Sequence, residues 1–534
     1  MDDTKVYEYI VVGAGTAGCV VAARLAETGA EVLLLEQGSD GEDDNISKAE
    51  LDPLFALWKD QNHIFNYPMD PRSTSPSRWP ELMRGRTIGG SGAVNVMIHT
   101  RANRADLDGW AEAGNSEWSY EKVLPYYKCS ETAPDGESEF RGGSGPIQLS
   151  RPEPSRYADA LREAARQFGF DGPDRDFNGA IQGGGTGLFQ FAADQDKKRS
   201  STAVAYLNPL RDRENLTVCS GVPVTRLLMN TDGMMPRAVG VLYRDDKSWF
   251  EKPVLATRRV ILCAGALESP KLLMLSGIGC YDHIKTFGIK RVLNLPQVGK
   301  NLQDHVIAGL NFAGTEPAPR LQFLTEAGLF AHVNESHASD YFSTSGYPTV
   351  QYFMNAGIPG RGLPGVDGDF YGIYPSLTCP DTRGSISLTS ADPRRPPVIK
   401  MDYLTQGRDM DIMINALRLA LEIGTAKAME PLTSGPVEVV TYTGGVLPDA
   451  DTPREKFEQH LKLTARGLWH PVGTCAMGPD PEDGAVVAQD LSVHGIDGLS
   501  VCDASVFPKM TSGNPNATVI AIAEKFCAEF VNRT

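Results

Sequence analysis

A chain of 534 residues is too long for one simple core and implies two or more lobes. Its net charge of −16 at pH 7 excludes a nucleic-acid partner, which needs a basic face, and argues against an anionic membrane surface. Composition is that of a globular protein, 41% hydrophobic and 22% charged, with 54 glycines and 36 prolines that imply many loops.

The N-terminal stretch MDDTKVYEYIVVGAG is acidic and runs straight into a glycine turn, so no signal peptide is read there. Tyr9 to Val12 is predicted as a short buried strand. Gly13-Ala14-Gly15-Thr16-Ala17-Gly18 follows directly, and a helical pattern then runs through Val20, Val21, Ala23, Leu25 and Ala26 until Gly29 stops it. Glu31 to Leu35 is a second strand, and Glu36 ends it 18 positions after Gly18. In such a βαβ unit Gly13 makes the turn, Gly15 admits a pyrophosphate close to the backbone, and Gly18 lets helix and strand pack. Thr16 and Ala17 begin the helix whose N-terminus favours phosphate charge, and Glu36 accepts from a ribose hydroxyl. An isolated GxGxxG motif says little. Strand, glycines, helix, strand and acid in register specify a dinucleotide site. The acid argues against NADP but does not separate NAD from FAD.

Residues 84–103, RGRTIGGSGAVNVMIHTRAN, form a second glycine-rich turn leading into an apolar segment. Further on, Val260 to Cys263 is a strand, Ala264-Gly265-Ala266 a turn, and Ser269-Pro270 begins a helix, with proline at an early helical position. The region 306–465 is less regular. It contains a Gly-Pro cluster at Gly357 to Gly368, a hairpin within Arg383 to Tyr403, and a long helical pattern from Met410 to Ile423. Gly498 to Val506 holds a short buried strand ending at Asp503, and a final helix runs from about Ala517 to Val531. Rossmann-like pieces thus occur at both ends and in the middle. The expected fold is α/β, with a discontinuous Rossmann-like nucleotide domain and a sheet-plus-helix (α+β) substrate domain. The expected division is 1–305 for the nucleotide region, with loops partly in the substrate lobe; 306–465 for the substrate lobe; and 466–534 for the return to the nucleotide domain.

The nine cysteines are scattered without any CxxC pair, which reads as reduced thiols in a cytoplasm and supplies no metal site. No uninterrupted apolar run reaches ~18 residues, so neither a membrane span nor a membrane partner is expected. The Asn-x-Ser/Thr triplets at Asn215, Asn334 and Asn516 are then chance matches.

Five segments in order carry a resemblance: Gly85 to Asn95, Gly265 to Gly279, Val298 to His305, Trp469 to Gly478, and Asp503 to Lys525. Through them the chain resembles the glucose–methanol–choline oxidoreductases, FAD enzymes that oxidise alcohols. The resemblance implies FAD, a small-molecule alcohol substrate, and oxygen or another electron acceptor. It puts a catalytic base at His470 and its hydrogen-bonding partner at Asn514, 44 positions later, with Pro515 stiffening the turn. It implies that Val94 and Asn95 lie near the isoalloxazine, that Asp503 and Ala504 pass the ribityl-phosphate, and that the Val224 backbone meets adenine. Arg86, Gly90 and Ala264 join the implied cofactor contacts, and Trp469 becomes a wall of the substrate pocket.

Alcohol oxidation removes a hydroxyl proton and a carbon-bound hydride, so a neutral histidine suits the base and an amide or a second histidine suits the oxygen donor. Two departures from the family pattern are informative. Val94 stands where some members attach FAD through histidine, so noncovalent FAD is expected. Ile307 stands where choline-oxidising members carry a carboxylate. That disfavours choline, although aromatic rings can also hold its cation. A primary aryl or furfuryl-type alcohol is the expected substrate. A cyanohydrin lyase on the same scaffold, a non-redox flavin-binding protein and an NAD dehydrogenase are the alternatives, the last opposed by the second signature. His99 and His305 receive no role.

Overall fold

The computed structural model describes residues 6–41, 43–48, 50–73, 81–170, 172–244, 250–315, 323–334, 347–356, 370–405, 407–436 and 451–530. Its first sheet is built on Tyr7–Val12, a run of β-branched and aromatic residues. That strand lies between Val32–Leu35 and the long strand Lys252–Leu262, parallel to both. Leu216–Cys219 extends one edge and Leu499–Val501 the other, also in parallel. All four residues of Val32–Leu35 are buried, as expected for a parallel strand covered on both faces. The first half of Lys252–Leu262 leaves this layer and pairs antiparallel with Arg237–Tyr243, which in turn pairs with Val224–Asn230.

The helix Thr16–Glu27 crosses from the first strand to the second and closes at Thr28, with Gly29 in the left-handed region at φ +87°. The last α-helix, Pro515–Lys525, packs beside it. Arg24 donates to both carboxylate oxygens of Glu524 at 2.8 Å, and Thr16 Oγ1 donates to Asn516 Oδ1 at 2.8 Å. The two ends of the chain are therefore joined directly behind the glycine turn.

A second, antiparallel sheet orders its strands Thr433–Pro436, Leu310–Gly314, Phe370–Leu377, Val350–Ala356, Ala327–Ala331 and Gly185–Leu188. The short strand Val306–Ile307 pairs with the end of Phe370–Leu377 on one side and with Arg466–Gly467 on the other. The helix Gly407–Gly424 lies against this sheet, where its Ala416 and Gly424 carbonyls accept from the Tyr352 and Tyr371 hydroxyls at 3.2 and 2.7 Å. Two lobes of the expected kinds are present.

Several sequence expectations change in detail. The hairpin forms between Ser385–Ser387 and Val398–Lys400. Backbone pairing brings Gly185–Leu188 and Arg466–Gly467 into the antiparallel sheet. The helix expected to begin at Ser269 begins at Gly265 and runs to Leu275, so Pro270 is interior. Proline has no N–H to give the carbonyl four residues back. The Thr474 hydroxyl supplies that bond instead, donating to Ala266 O at 2.6 Å. The final helix is α to Lys525 and continues as a π turn, Phe526–Phe530. Val531 and the Gly357 to Gly368 cluster lie outside the described residues. All nine cysteines are free, and among the described residues no helix is long and apolar enough to cross a membrane.

Candidate active site

One cavity lies at the glycine turn and extends to the segment around His470. Gly13, Gly15, Thr16, Ala17, Glu36, Gly90, Asn95, Val224, Ala264, Asp503, Ala504 and Pro515 all line it, as do His470, Asn514 and Trp469. The glycine turn has the form a pyrophosphate needs. A Cβ on Gly13 would come 2.6 Å from Cys263 O, and one on Gly18 would come 1.8 Å from Gly13 O, so both are required by packing of the turn itself. Gly15 differs, because its Cβ would meet nothing nearer than 3.8 Å and would instead fill the cradle. No side chain caps the helix at Gly15 and its first turn has no acid, so a cofactor phosphate can take those N–H groups. Glu36 holds the base of the cradle by accepting from Ala14 N and Gly38 N, each at 2.8 Å, and burial pushes it up to about 7. Asp503 accepts from Gly265 N and Ser269 Oγ at 2.8 and 2.6 Å, which ties it to the N-terminus of the Gly265–Leu275 helix.

At the far end, the peptide joining Trp469 to His470 is clamped on both sides. Arg84 Nη1 donates to Trp469 O at 2.7 Å, and His470 N donates to Asp304 Oδ1 at 2.7 Å. Trp469 carries φ +60°, a conformation that residues with a Cβ rarely adopt, and this clamp holds it there. The Tyr403 hydroxyl donates to the other oxygen of Asp304 at 2.8 Å. Burial pushes Asp304 up to about 7, although these donors favour its charged form.

The His470 ring is oriented by a second histidine. His305 Nε2 lies 2.9 Å from Thr511 O, and a carbonyl oxygen can only accept. His305 therefore carries its proton on Nε2 and presents a lone pair at Nδ1. His470 Nδ1 lies 2.9 Å from that lone pair and donates to it. This assignment leaves the lone pair of His470 on Nε2, which has no protein partner among the described residues, while the residue itself lines the cavity. Burial, then His305 and Arg84, hold His470 well below the usual histidine range. Burial pushes His305 down to about 4. Both rings are neutral at pH 7.

Asn514 lies at the start of the last helix but its side chain does not cap it, and the Asn516 side chain accepts from Thr16 Oγ1. Asn514 Oδ1 accepts from Gln351 Nε2 at 3.3 Å, which leaves its amide hydrogens for the cavity. The site thus sets one lone pair and one amide donor on the same cavity.

Not every expected residue reaches it. Val94 turns away into an apolar cluster with Ile46, Leu57, Ile64 and Ala93. Arg86 lies over the Phe65 ring and its Nη2 donates to Gln61 O. Neither lines the cavity: Val94 ends the short helix Gly90–Val94 and packs into that cluster, and Arg86 follows the strand Glu81–Gly85. Gly18 sits beneath the turn. Arg84, Asp304, Gln351 and Tyr403 were missed by sequence reasoning, and His305 was given no role. His305 ends a recognised segment, which was the only signal available for it. His99 joins a buried ion cluster, its Nε2 3.4 Å from Glu131 Oε2, beside Arg101 and Arg141.

A Rossmann cavity that ends at a neutral histidine and an amide donor defines a dinucleotide-dependent oxidoreductase. Family profiles described as GMC oxidoreductase match residues 7–307 and 380–523, and the chain belongs to that family. It is 33% identical over 552 residues to the oxygen-dependent choline dehydrogenase of Cronobacter sakazakii, across 99% of this chain and 95% of that protein. Pyridoxine 4-oxidase from Mesorbium loti is similar in structure, with a TM-score of 0.88 at 28% identity over 99% of this chain and 100% of that one. Formate oxidase from Aspergillus oryzae, at 24% identity and a TM-score of 0.85 over 99% of both chains, shares the fold. FAD is the cofactor of this family, and the glycine cradle and buried acid fit it. The protein is an FAD-dependent oxidoreductase acting on CH–OH donors.

Proposed function

We propose that this enzyme oxidises a primary aryl- or furfuryl-type alcohol to the aldehyde, with His470 as base and Asn514 as the donor that holds the oxygen. Bound FAD supplies the hydride acceptor, and oxygen or another acceptor takes the electrons afterwards. His470 Nε2 removes the hydroxyl proton while the Asn514 amide stabilises the charge left on oxygen. Trp469 walls the pocket next to the base. The observation that carries this reading is the Thr511–His305–His470 relay, which leaves the free lone pair on the nitrogen that has no protein partner.

The apolar substrate rests on Ile307. It is buried in one cluster with Met97, Ile98, Phe177, Phe189, Phe191, Phe323, Phe330 and Phe353. Met97 and Ile98 also line the cavity, so the cluster adjoins the reaction site. Ile307 itself supplies no carboxylate to balance a quaternary ammonium. The similarity to choline dehydrogenases favours choline as the second reading, and the edge-to-face pair of Trp58 and Trp469, 5.6 Å apart, is a surface that can hold a cation.

The test is an anaerobic visible spectrum of the holoenzyme titrated with benzyl alcohol, with choline in parallel and air readmitted at the end. Bleaching by benzyl alcohol at lower concentrations than choline supports the proposal. The reverse order assigns the substrate to choline. The rate at which colour returns in air distinguishes an oxidase from a dehydrogenase.

A further inference from the structure

Behind the cavity lies a buried cation with no counter-charge among the described residues. Arg199 is 2% exposed. Its Nε donates to Ile46 O at 2.9 Å, and its Nη1 donates to Asn95 Oδ1 at 2.8 Å and Gly92 O at 3.3 Å. Nη2 has no hydrogen-bond partner. Among the described residues no carboxylate pairs with this guanidinium. Two other enclosed arginines, Arg101 and Arg141, do have one and share Glu131 at 2.7 Å each. Burying a cation without an anion is costly, so its retention needs a reason.

Asn95 supplies the reason. Its Oδ1 accepts from Met97 N at 2.9 Å as well as from Arg199, so the oxygen is fully engaged by the protein. The amide nitrogen has no protein partner among the described residues, and Asn95 lines the cavity. The bond to Met97 also holds that residue at φ +62°. Gly92, whose carbonyl accepts from Arg199, abuts Thr16: a Cβ there would come 2.7 Å from Thr16 Oγ1. Arg199 therefore braces the first signature segment against the glycine turn.

We propose that Arg199 is a positioning residue for the flavin. It holds Asn95 Oδ1 so that the Asn95 amide hydrogens point into the cavity, and it sets an unbalanced positive charge behind them. A cofactor that gains negative charge on accepting electrons is favoured by both the donor and the charge. Burial pushes Arg199 down to about 9, so it stays charged at neutral pH. The inference rests on FAD filling this cavity and does not depend on which alcohol is oxidised.

The experiment measures the midpoint potential of the flavin in the holoenzyme by reductive titration with a reference dye, alongside thermal stability. In Arg199→Met the two-electron equilibrium should shift at least tenfold toward the oxidised form, about 30 mV more negative. Arg199→Lys, which keeps the charge, should recover most of that shift. Asn95→Ala should move the potential in the same direction, and combining it with Arg199→Met should add little. A wild-type potential in folded, flavin-loaded Arg199→Met overturns the proposal, as does a lysine variant that matches the methionine one. A purely structural role would lower thermal stability and leave the potential unchanged. If Arg199→Met does not fold, Asn95→Ala decides alone: an unchanged potential there overturns the proposal.

Discussion

His470 acts through its neighbours. Its proton is fixed on Nδ1 by His305, its backbone N–H is held by Asp304, and the carbonyl of the same peptide is held by Arg84. His470→Ala is expected to keep its flavin and to lose on the order of 10²-fold or more in the anaerobic rate of flavin reduction, measured by stopped flow. A variant that reduces its flavin as fast as wild type would remove His470 from the role of base. The pH dependence follows from the direction of its pKa shift. The neutral form is the active one, and the folded value lies below the ordinary ~6.5. Activity should therefore persist below the usual histidine range and fall only as pH drops through that lowered value. Arg84→Met removes one of the charges that lowers it. The acid limb of kcat/KM against pH should then move to higher pH. A limb that stays in place would mean that Arg84 acts on backbone position alone.

At the scale of elements, the helix Gly265–Leu275 and the loop after His470 depend on one another. Pro270 orphans the Ala266 carbonyl and Thr474 satisfies it, so a side chain from the catalytic segment completes a helix of the nucleotide lobe. Thr474→Val leaves that carbonyl unsatisfied and should cost about 1–3 kcal/mol in urea denaturation. In a Pro270→Ala background the backbone supplies its own donor, and the same substitution should cost less. The double-mutant cycle measures the difference, and strictly additive effects would mean that the two positions are not coupled. Proline with a β-branched hydroxyl residue 204 positions later is a pattern that no local periodicity signals.

For the molecule as a whole, the cavity draws on the first 40 residues, Tyr67, the segment 84–98, Val222 and Val224, the segment 263–272, and the segments 469–471 and 503–519. A ligand that touches all of them stabilises only the folded state. Stripping the FAD should lower the thermal midpoint, and added FAD should restore it in a concentration-dependent way. Val94 has no group able to form a covalent link and faces Ile46, Leu57 and Ile64 rather than the cavity. Acid precipitation should therefore leave the yellow flavin in the supernatant. A yellow pellet would indicate a covalent attachment at some other residue.

The sequence by itself determined the βαβ unit, Glu36 at its end and the sheet-plus-helix character of the second lobe, while His470 and Asn514 were expectations drawn from the resemblance, and both line the cavity. Each is encoded by neighbouring residues, through period, glycine spacing or a contiguous motif. Only the tertiary structure decided which nitrogen of His470 is free, because that depends on His305, 165 residues away. It also decided that Arg84 clamps Trp469 across 385 residues, that Arg199 lies behind Asn95 with no carboxylate partner among the described residues, and that Val94 packs away from the cavity. Hydrogen bonds and burial act through space, and a motif records only residues that are close along the chain.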